Sequence, residues 1–481
     1  MIYLSTVGAE YSIKGIAKEI LSYKSGVIGI AILLFLIFLS IYTVITIPYD
    51  QAIRMWRGED RMWIENPRNA VPIWYKYIFG KNIPENIAID SRDFGKKLGI
   101  VKVISDIPGT NFKKLYIEFT FTYPYDDFPS EINVFFFAKY NMNAPLLYIY
   151  WIKPNNRKIE LLSYIVRSPR EDILYLSINP VIGNKLQNYI EKTVGEESEV
   201  FIPVEMALFA VEDRTLLSSL TAKPLNGVYK VIIEGMLFEK DADIDVRLVV
   251  YGKAWGMFGT DDLRRDLLIP ILWGTPVAIS FGLSASLLIS IIHLIIAVAS
   301  GWYGKWVDSL IQRLTEIYMI IPFLSFLILI ATFYKLNIVI ILMIIIVLNI
   351  FGGGIKSTRA LVMQIKNYPY IEAALAYGAS SRRIIFLYII PKILPPMVPG
   401  LISSVPGFVF LEAGLSFLGL GDPYLPTWGK VINDAFTGGA MYKGYYYWVL
   451  EPSLMLILTA LAFAFLGFAL DRIVNPKLKE M

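Results

Sequence analysis

The chain has 481 residues, of which 55% are hydrophobic and 18% are charged, with 45 Lys and Arg against 41 Asp and Glu. Soluble domains carry about 25% charged residues, so part of this chain is expected to lie in a membrane. Cysteine is absent and His293 is the single histidine. These absences exclude disulfides, thiol nucleophiles, Cys-based zinc sites, His-pair metal sites and His-centred triads. The four glutamines are few, as in heat-adapted proteins.

Charge is distributed unevenly along the chain. Residues 48–254 hold 26 basic and 27 acidic side chains, whereas the remainder holds 19 basic and 14 acidic. The middle of the chain therefore has the balanced charge of an ordinary soluble surface. A nucleic-acid partner is not expected, because no basic stripe is present there to neutralise phosphates.

Six apolar runs predict membrane spans. The first, 27–47, has 21 residues without a charge, about the length that crosses roughly 30 Å of hydrocarbon. A cleavable signal peptide is the alternative, but its apolar part is shorter and a small-residue cleavage site follows it. The 34 uncharged residues from Leu267 to Ser300 exceed one upright span, so an interfacial lead-in and a helix from about Ala278 are expected. Further spans are predicted at 314–334, 336–355, 396–420 and 448–470.

Lys and Arg in the short segments between spans indicate the orientation. With the N-terminus inside, fourteen of them lie in inside segments, and only Lys335, Lys430 and Lys443 lie in short outside loops. We therefore predict a multi-pass protein of the plasma membrane with both termini in the cytoplasm and residues 48–254 outside.

The outside segment is predicted to fold as a β-rich domain. Turn signals separate aromatic or alternating runs, which are typical of strands, at 115–123, 132–138, 145–151, 228–233 and 246–251. One helix is predicted at Lys185–Thr193. A mostly antiparallel β-sandwich of about 200 residues accounts for this pattern.

The longest inside loop, 365–392, contains a short predicted helix. Glu372 lies in its first turn, where the helix dipole favours a negative charge. Ala373 and Ala374 leave a smooth surface that another protein can approach closely, and Gly378 lets the chain turn away without a Cβ penalty.

A second amphipathic helix is predicted to begin at Arg382 and Arg383 and to stop at Pro391. The loop by itself is equally consistent with two roles. One is an interfacial helix that lies on anionic lipid, and the other is an element that docks another protein.

The order of these residues resembles the signature loop of ABC-importer permeases, which inserts into a groove on the ATPase subunit. The loop residues that carry this resemblance are Glu372, Ala373, Ala374, Gly378, Arg382, Arg383 and Pro391. Further stretches resemble the dipeptide/oligopeptide/nickel branch of the family: LSYKSGVIG (21–29), GTDDLRRD (259–266), GWYGKWVD (301–308) and LEAGLSFLGLG (411–421).

The chain departs from the pattern of this branch at several sites, among them Phe468 and residues 472–475 near the C-terminus. In the second stretch, Arg264 replaces the usual glycine, while the other motif residues are present as Gly259, Thr260, Asp261, Arg265 and Asp266. Tyr388 stands where a His is common.

The resemblance implies a mainly α membrane protein with the six-helix ABC type I importer permease fold. A β-rich extracytoplasmic domain is inserted between helices 1 and 2, where the family usually has a short loop. The predicted divisions are a cytoplasmic segment (1–26), helix 1 (27–47), the β-rich domain (48–254), the permease core with its coupling loop 365–392 (255–476) and a cytoplasmic tail (477–481).

The same resemblance implies the partners and the cargo. The partners are a second homologous permease, two ABC ATPase subunits, an extracytoplasmic substrate-binding protein and the lipid bilayer. Di- or oligopeptides are the first expectation for the cargo, and oligosaccharides are the second. Nickel is disfavoured because the chain has no His-rich path.

No phosphate-binding sequence G-x-x-x-x-G-K-[ST] occurs in the chain. We therefore expect a transport subunit that is not an enzyme and holds no cofactor or metal, with ATP bound by partner subunits. Within the spans, Glu412 and Ser416 are candidates for either the transport path or helix packing. His293 is expected to bond between helices, and Gly352 to Gly354 to allow close packing or a hinge.

Two other classes remain as alternatives. An ion-coupled secondary transporter predicts inverted repeats and polar breaks at mid-membrane, and neither is clear in the sequence. A membrane-anchored receptor or surface enzyme that works through the β-rich domain needs one span, yet five predicted spans follow that domain.

Overall fold

The computed structural model describes residues 13–58, 61–196, 201–217 and 221–474. The predicted tail 477–481 and the first twelve residues of segment 1–26 lie outside these ranges.

The chain divides into two compact units. The membrane unit combines Met1–Glu59 with Ile269–Met481, and the β-rich unit is Asp60–Leu268. These bounds differ from the predicted 48 and 254, because 49–57 forms a helix of the membrane unit, while 259–267 hydrogen-bonds within the β-rich unit. The domain divisions drawn from the sequence stay a prediction.

The helices of the described residues are, in chain order, α1 (Ile13–Ser22), α2 (Lys24–Thr46), α3 (Tyr49–Arg57), α4 (Tyr75–Phe79), α5 (Pro180–Val194), α6 (Val204–Phe209), α7 (Leu268–Tyr303), α8 (Lys305–Ile320), α9 (Phe323–Phe333), α10 (Ile338–Leu348), α11 (Gly354–Lys366), α12 (Pro369–Ala376), α13 (Ser381–Ile384), α14 (Ile390–Phe417), α15 (Trp428–Thr437), α16 (Ala440–Lys443) and α17 (Tyr447–Val474).

Four continuous helical stretches of the described chain are long and apolar enough to cross a membrane: α2, α7, the run Ser381–Phe417, and α17. In place of the predicted third span, α8 and α9 meet at a bend of 70°. Pro322 explains the bend, because proline pushes the residue before it out of the helical region, and Ile321 has extended backbone angles. In place of the predicted fourth span, α10 has only 11 residues. The count of six spans stays a prediction.

Helix α7 starts at Leu268, so the expected helix start at about Ala278 is wrong. Its first turns are buried and pack against Trp428. The indole Nε1 of Trp428 donates to the carbonyl oxygen of Ile271 at 3.1 Å. Gly274 lies so close to the Trp428 ring that a Cβ there would be 2.3 Å from it. Pro276 is accommodated inside this packed helix.

The prediction that Pro391 stops a helix is also wrong. Helix α13 passes through a π-helical segment, Ile385–Ile389, directly into α14, and together they form one run of 37 residues. Pro391 lies in the first turn of α14, directly after the π-helical segment. The π-helical segment thus connects α13 to the proline-containing helix α14.

The β-rich unit contains nine strands in its described residues: β1 (Ile87–Asp90), β2 (Ile100–Asp106), β3 (Lys113–Tyr123), β4 (Glu131–Lys139), β5 (Leu146–Ile152), β6 (Lys158–Ile165), β7 (Asp172–Tyr175), β8 (Gly227–Leu237) and β9 (Asp243–Tyr251). They form a sheet of order β1-β9-β4-β7 and a sheet of order β2-β3-β8-β5-β6, and all neighbouring strands are antiparallel.

One apolar core joins the inner faces of the two sheets. In β3, Leu115, Ile117 and Phe119 alternate with polar residues and are fully buried, and they share a cluster with Val134 of β4 and Val246 of β9. The period of two places one face of each strand in the core, as in a sandwich.

The predicted helix of the β-rich unit is α5. The side chain of Asn179 caps its start by accepting a hydrogen bond from the backbone N–H of Val181 at 3.0 Å. At its end, Gly195 has a φ of +80°.

Candidate coupling loop and membrane cavity

The short helix of the long loop is α12. Pro369 occupies its first turn together with Glu372, and both fit the unpaired N–H groups and the positive dipole of a helix start. Glu372 and Ala373 are exposed, and Ala374 is half-buried. The helix thus exposes one acidic side chain, Glu372, beside small alanines and the larger Leu375.

Gly378 ends this helix. Its φ is +77°, in the left-handed region that glycine occupies without strain. The N–H of Ala379 donates to the carbonyl of Ala374 at 3.0 Å, which closes the turn. A Cβ on Gly378 would meet nothing within 4 Å, so the backbone angle alone calls for glycine. Beyond it, Arg382 and Arg383 are exposed at the start of the next helical run, as is Pro391.

The inner side of α12 is anchored by Ile371, which is fully buried. Ile371 belongs to an apolar cluster with Trp302 of α7, Val362 of α11 and Ile384 of α13. Close to this cluster, Lys366 Nζ donates to the carbonyl oxygen of Trp302 at 2.7 Å. The exposed face and the anchor of α12 therefore lie on opposite sides. This arrangement suits an element that passes a movement from a docked protein to the helices beneath it.

An ion pair also joins the helices beneath the loop. Arg359 of α11 donates to Asp308 of α8, from Nε to Oδ1 at 2.6 Å and from Nη2 to Oδ2 at 2.5 Å. The hydroxyl of Ser300 donates to the same Oδ1 at 2.5 Å. The sequence did not predict this pair, although Asp308 is the last residue of the family-like stretch 301–308. A pair so far apart in the chain leaves no local signal.

A cavity of about 490 Å³ lies between α7, α11, α14 and the turn before α11. Apolar side chains such as Ile289, Met397 and Phe408 form much of its lining, and we call it the polar cavity after the hydrogen-bonding groups among them. Besides His293, its polar lining residues are Ser286, Ser290, Asn349, Ser357, Thr358 and Ser404. No Asp, Glu, Lys or Arg is among the residues that line it. The cavity offers hydrogen-bonding groups without charge, and sequence reasoning did not assign these serines and this threonine a role.

His293 bonds from α7 to the turn that joins α10 and α11, which fits the expected bond between helices. Its Nε2 lies 2.7 Å from the carbonyl oxygen of Asn349, and a carbonyl only accepts, so we assign the proton to Nε2. The close packing predicted for Gly352 to Gly354 is found at Gly352 and Gly354 but not at Gly353, where the nearest atom to a Cβ would lie 3.8 Å away. A Cβ on Gly354 would lie 2.6 Å from His293 Nδ1, and one on Gly352 would lie 3.0 Å from the ring.

Glu412 and Ser416 lie elsewhere. Glu412 is 4% exposed, and its Oε1 accepts a hydrogen bond from the Ser416 hydroxyl at 2.7 Å. Gly421 and Gly429 press against Ser416 so closely that a Cβ on either would lie within 3 Å of its side chain. Neither Glu412 nor Ser416 lines the polar cavity. This geometry favours packing of α14 over a place in the path.

The stretch 259–266 forms a buried turn of the β-rich unit. Thr260 donates through Oγ1 to the carbonyl of Pro67 at 2.7 Å, and Asp261 accepts from Arg265 Nε at 2.5 Å. Burial raises the pKa of Asp261 to about 6, although the Arg265 guanidinium opposes the rise. Asp266 accepts from the backbone N–H of Leu268 at 2.9 Å, at the start of α7.

Arg264 has a φ of +67°, a region that costs an ordinary residue about 1 kcal/mol and glycine nothing. This explains why glycine is usual at the position. Here Arg264 is held by three partners. It donates to the carbonyl of Asn66 at 2.6 Å, pairs with Glu131, and lies 4.6 Å from the centre of the Tyr251 ring. The arginine thus ties the turn to β4 and β9.

A membrane transport subunit is expected to combine long apolar helices, a cavity between them and a cytoplasmic element that couples to a partner. The described part of this chain has the long apolar helices, the polar cavity and the anchored loop helix α12. The sequence profile of the family described as binding-protein-dependent transport system inner membrane component matches residues 293–480, all in the membrane unit.

Three peptide permeases are similar to this chain in sequence. The dipeptide transport system permease protein DppC of Bacillus subtilis is 31% identical over 226 residues, 46% of this chain and 69% of that protein. The oligopeptide transport system permease protein OppC of Haemophilus influenzae is 32% identical over 227 residues, 47% and 71% of the two chains. OppC of Escherichia coli is 33% identical over 223 residues, 46% and 72% of the two chains.

The chain belongs to the family of binding-protein-dependent transport system inner membrane components. It is a permease component of an ABC importer, similar to DppC and OppC. A chain of the inward-facing MetNI methionine ABC transporter also matches, with 18% identity and a TM-score of 0.33 over 44% of this chain and 98% of that chain. That agreement is too low to support a conclusion.

Proposed function

We propose that the chain is the membrane-spanning subunit of an ATP-driven importer that carries peptides. The observation that carries the proposal is the connection from loop to cavity. The anchor of α12, Ile371, shares one buried cluster with α7 and α11, and both of these helices line the polar cavity. The names of its relatives, dipeptide and oligopeptide permeases, support peptides as the cargo.

The energy comes from partner subunits in this proposal. Two ABC ATPases bind ATP and dock on the α12 loops of this chain and of a second, homologous permease. The exposed face from Glu372 to Tyr377 is available for such docking, and Tyr377 is 92% exposed. An extracytoplasmic binding protein delivers the cargo.

Closure of the ATPases displaces α12 and, through Ile371, the cluster beneath it. Because Arg359 donates two hydrogen bonds to Asp308, α11 and α8 move together. A packed core shifts between discrete arrangements rather than deforming continuously. The push therefore switches the helices around the cavity between two packings, which is alternating access.

The cavity lining suits a cargo that varies in charge. Serine and threonine hydroxyls, together with the amide of Asn349, offer hydrogen bonds to peptide groups. Since no lining residue is an acid, a lysine or an arginine, basic and acidic peptides meet the same neutral surface. Selection among peptides then belongs to the binding protein.

We further propose the orientation inferred from basic residues, with both termini in the cytoplasm and the β-rich unit outside. There the β-rich unit assists the docking of the binding protein. Passive shielding of the entrance is the alternative role. Deletion of the unit with the permease core retained separates the two, because uptake falls only if docking is its role.

The decisive experiment is uptake by proteoliposomes that contain this chain, the second permease, both ATPases and the binding protein. Labelled peptide is expected to accumulate only with ATP on the ATPase side. Labelled oligosaccharide is the control cargo. Accumulation of peptide driven by an ion gradient without ATP would instead support a secondary transporter, and absence of any peptide accumulation by the complete complex contradicts the proposal.

A further inference from the structure

We propose that His293 is a positioning residue for transport and, with Gly352 and Gly354, forms a gate of the polar cavity. The inference rests on the proposed function, because it assigns a state-dependent role to residues of the same path.

The gate lies where the helical chain is interrupted. Helix α10 ends at Leu348 and α11 begins at Gly354. In the turn between them, the carbonyl oxygen of Asn349 accepts two hydrogen bonds, one from the Gly352 N–H at 3.0 Å and one from His293 Nε2 at 2.7 Å. A single side chain of α7 thus holds the turn that connects the two helices.

The same ring blocks the start of α11. Gly354 approaches His293 so closely that even a methyl group would reach 2.6 Å from Nδ1. The ring cannot swing away without breaking its bond to Asn349. The position of His293 and the position of the first turn of α11 are therefore mutually dependent.

The other end of α11 contacts the coupling cluster. Val362 packs with Ile371 of α12 in that cluster, and a Cβ on Gly301 of α7 would lie 2.7 Å from Val362. Helix α11 therefore meets α7 closely at both ends, with Arg359 pairing to Asp308 between them. One route for a push on α12 to the cavity runs through α11, which pivots about the glycine turn and moves Gly354 against His293.

The first test compares variants in the reconstituted complex by the ratio of peptide taken up to ATP hydrolysed. For Gly354→Ala we expect about a tenfold fall in this ratio, with ATP hydrolysis retained. Gly353→Ala is the matched control, because its nearest neighbour lies 3.8 Å away, and it should match wild type. A wild-type ratio in Gly354→Ala overturns the proposal.

His293 variants separate a gate from simple packing. His293→Ala should lower the ratio as Gly354→Ala does, and His293→Gln should keep much of it, because its amide can still donate to Asn349. The double variant His293→Ala/Gly354→Ala should be no better than either single variant. If the double variant regains wild-type uptake, the ring merely needed to be out of the way, and the gate is refuted.

A second measurement changes no glycine, so it tests the gate even if Gly354→Ala does not fold. The chain has no cysteine, so nitroxide labels at Ser290→Cys and Ser357→Cys report one distance across the cavity. A non-hydrolysable ATP analogue bound to the complex should shift this distance. The control pair, Ser284→Cys with Ser290→Cys, lies within α7 and should not shift. An unchanged distance across the cavity contradicts the gate.

The two proposals fail in different ways. A complex that hydrolyses ATP but carries no peptide refutes the proposed cargo, and the distance measurement still tests the gate because it needs nucleotide alone. A complex that carries peptide with no change between Ser290→Cys and Ser357→Cys refutes the gate and leaves the proposed function standing.

Discussion

Arg359 and Asp308, 51 residues apart in the chain, share two hydrogen bonds of 2.6 Å and 2.5 Å that join α11 to α8. About a quarter of the Arg359 side chain and a fifth of the Asp308 side chain are exposed. Paired, partly buried charges of this geometry lock two helices in one relative position. Of the two, α11 packs against α12 through Val362 and also lines the cavity.

Arg359→Lys should weaken this connection although the charge remains, because lysine is a point donor and cannot make the paired contact. We expect a loss of about 1–3 kcal/mol of coupling in a double-mutant cycle with Asp308→Asn, together with reduced uptake. Thermal unfolding and uptake of the four proteins measure both. Lys356→Gln is the control, since Lys356 forms only an exposed 3.6 Å pair with Glu316. Equal effects of Lys356→Gln and Arg359→Lys would count against a special role for the pair.

Ile371→Ala should uncouple ATP hydrolysis from uptake. The side chain is fully buried in the cluster beneath α12, and truncation of a buried isoleucine costs about 2–5 kcal/mol. The anchor of the loop loosens while its exposed face is unchanged, so ATPases still bind. Ile320→Ala makes the same change at a side chain that is 82% exposed and should have little effect. Normal uptake by Ile371→Ala would show that the push takes another route.

Gly378→Val should impair coupling through backbone strain alone. The φ of +77° costs a β-branched residue about 1–3 kcal/mol, and no neighbour lies within 4 Å to add a clash. Gly378→Asn should be tolerated, because asparagine accepts the left-handed region. Substrate-stimulated ATP hydrolysis is the readout, and wild-type activity of Gly378→Val would instead support a helix that lies on the lipid surface.

Glu372→Ala should lower the same activity, because it loses about 0.3–1 kcal/mol of dipole interaction and any contact to the ATPase.

Arg264 offers a prediction about the β-rich unit. Arg264→Ala keeps the strain and loses the side-chain contacts with the Asn66 carbonyl, Glu131 and the Tyr251 ring. Arg264→Gly loses the same contacts but relieves the strain. Stability should therefore fall in the order wild type, Gly, Ala, with about 1 kcal/mol between the two variants. Amide hydrogen exchange of β4 and β9 in the full-length protein reports it. A Gly variant less stable than the Ala variant would contradict this account of the backbone.

Asp90 predicts how the β-rich unit responds to acid. Burial acts to raise the pKa of Asp90, but hydrogen bonds from Arg92 and Arg247 dominate and lower it from 3.8 to about 2. A carboxyl group whose pKa is depressed in the folded state adds stability above its unfolded pKa and loses it in acid. That contribution is present above about pH 4 and disappears as the pH falls toward 2.

Asp90→Asn should therefore flatten the acid dependence of amide exchange in β1 and β9 between about pH 4 and 2. Asp106→Asn is the control, because Asp106 is exposed at the end of β2 and forms no ion pair in the described part of the chain. Equal acid sensitivity of wild type and Asp90→Asn would show that these ion pairs do not stabilise the sheet.

The strands show what the sequence can and cannot predict. The five predicted runs correspond to β3, β4, β5, β8 and β9, which are the interior strands of the two sheets. The four missed strands, β1, β2, β6 and β7, are the four sheet edges. Interior strands have neighbours on both sides and carry dense apolar runs, whereas edge strands are short or polar and depend on one partner.

The site shows a similar limit. The first turn of α12, the left-handed Gly378 and the His293 bond follow from local rules of helix dipoles, glycine geometry and polar groups in membranes. The cavity and the Arg359 contact do not, because they arise from residues far apart in sequence. Pro391 failed as a stop signal because the helix continues through a π-helical segment, Ile385–Ile389, directly before it.

The most direct test of the central claim, that α12 is the docking element for the ATPase, uses the absence of cysteine from the chain. A photo-crosslinker attached to Ala373→Cys in the assembled complex should join this chain to an ATPase subunit. The same reagent on Met441→Cys, exposed in α16, should not. Reaction of the Ala373→Cys probe with lipid alone, in a complex that contains the ATPases, would contradict the account.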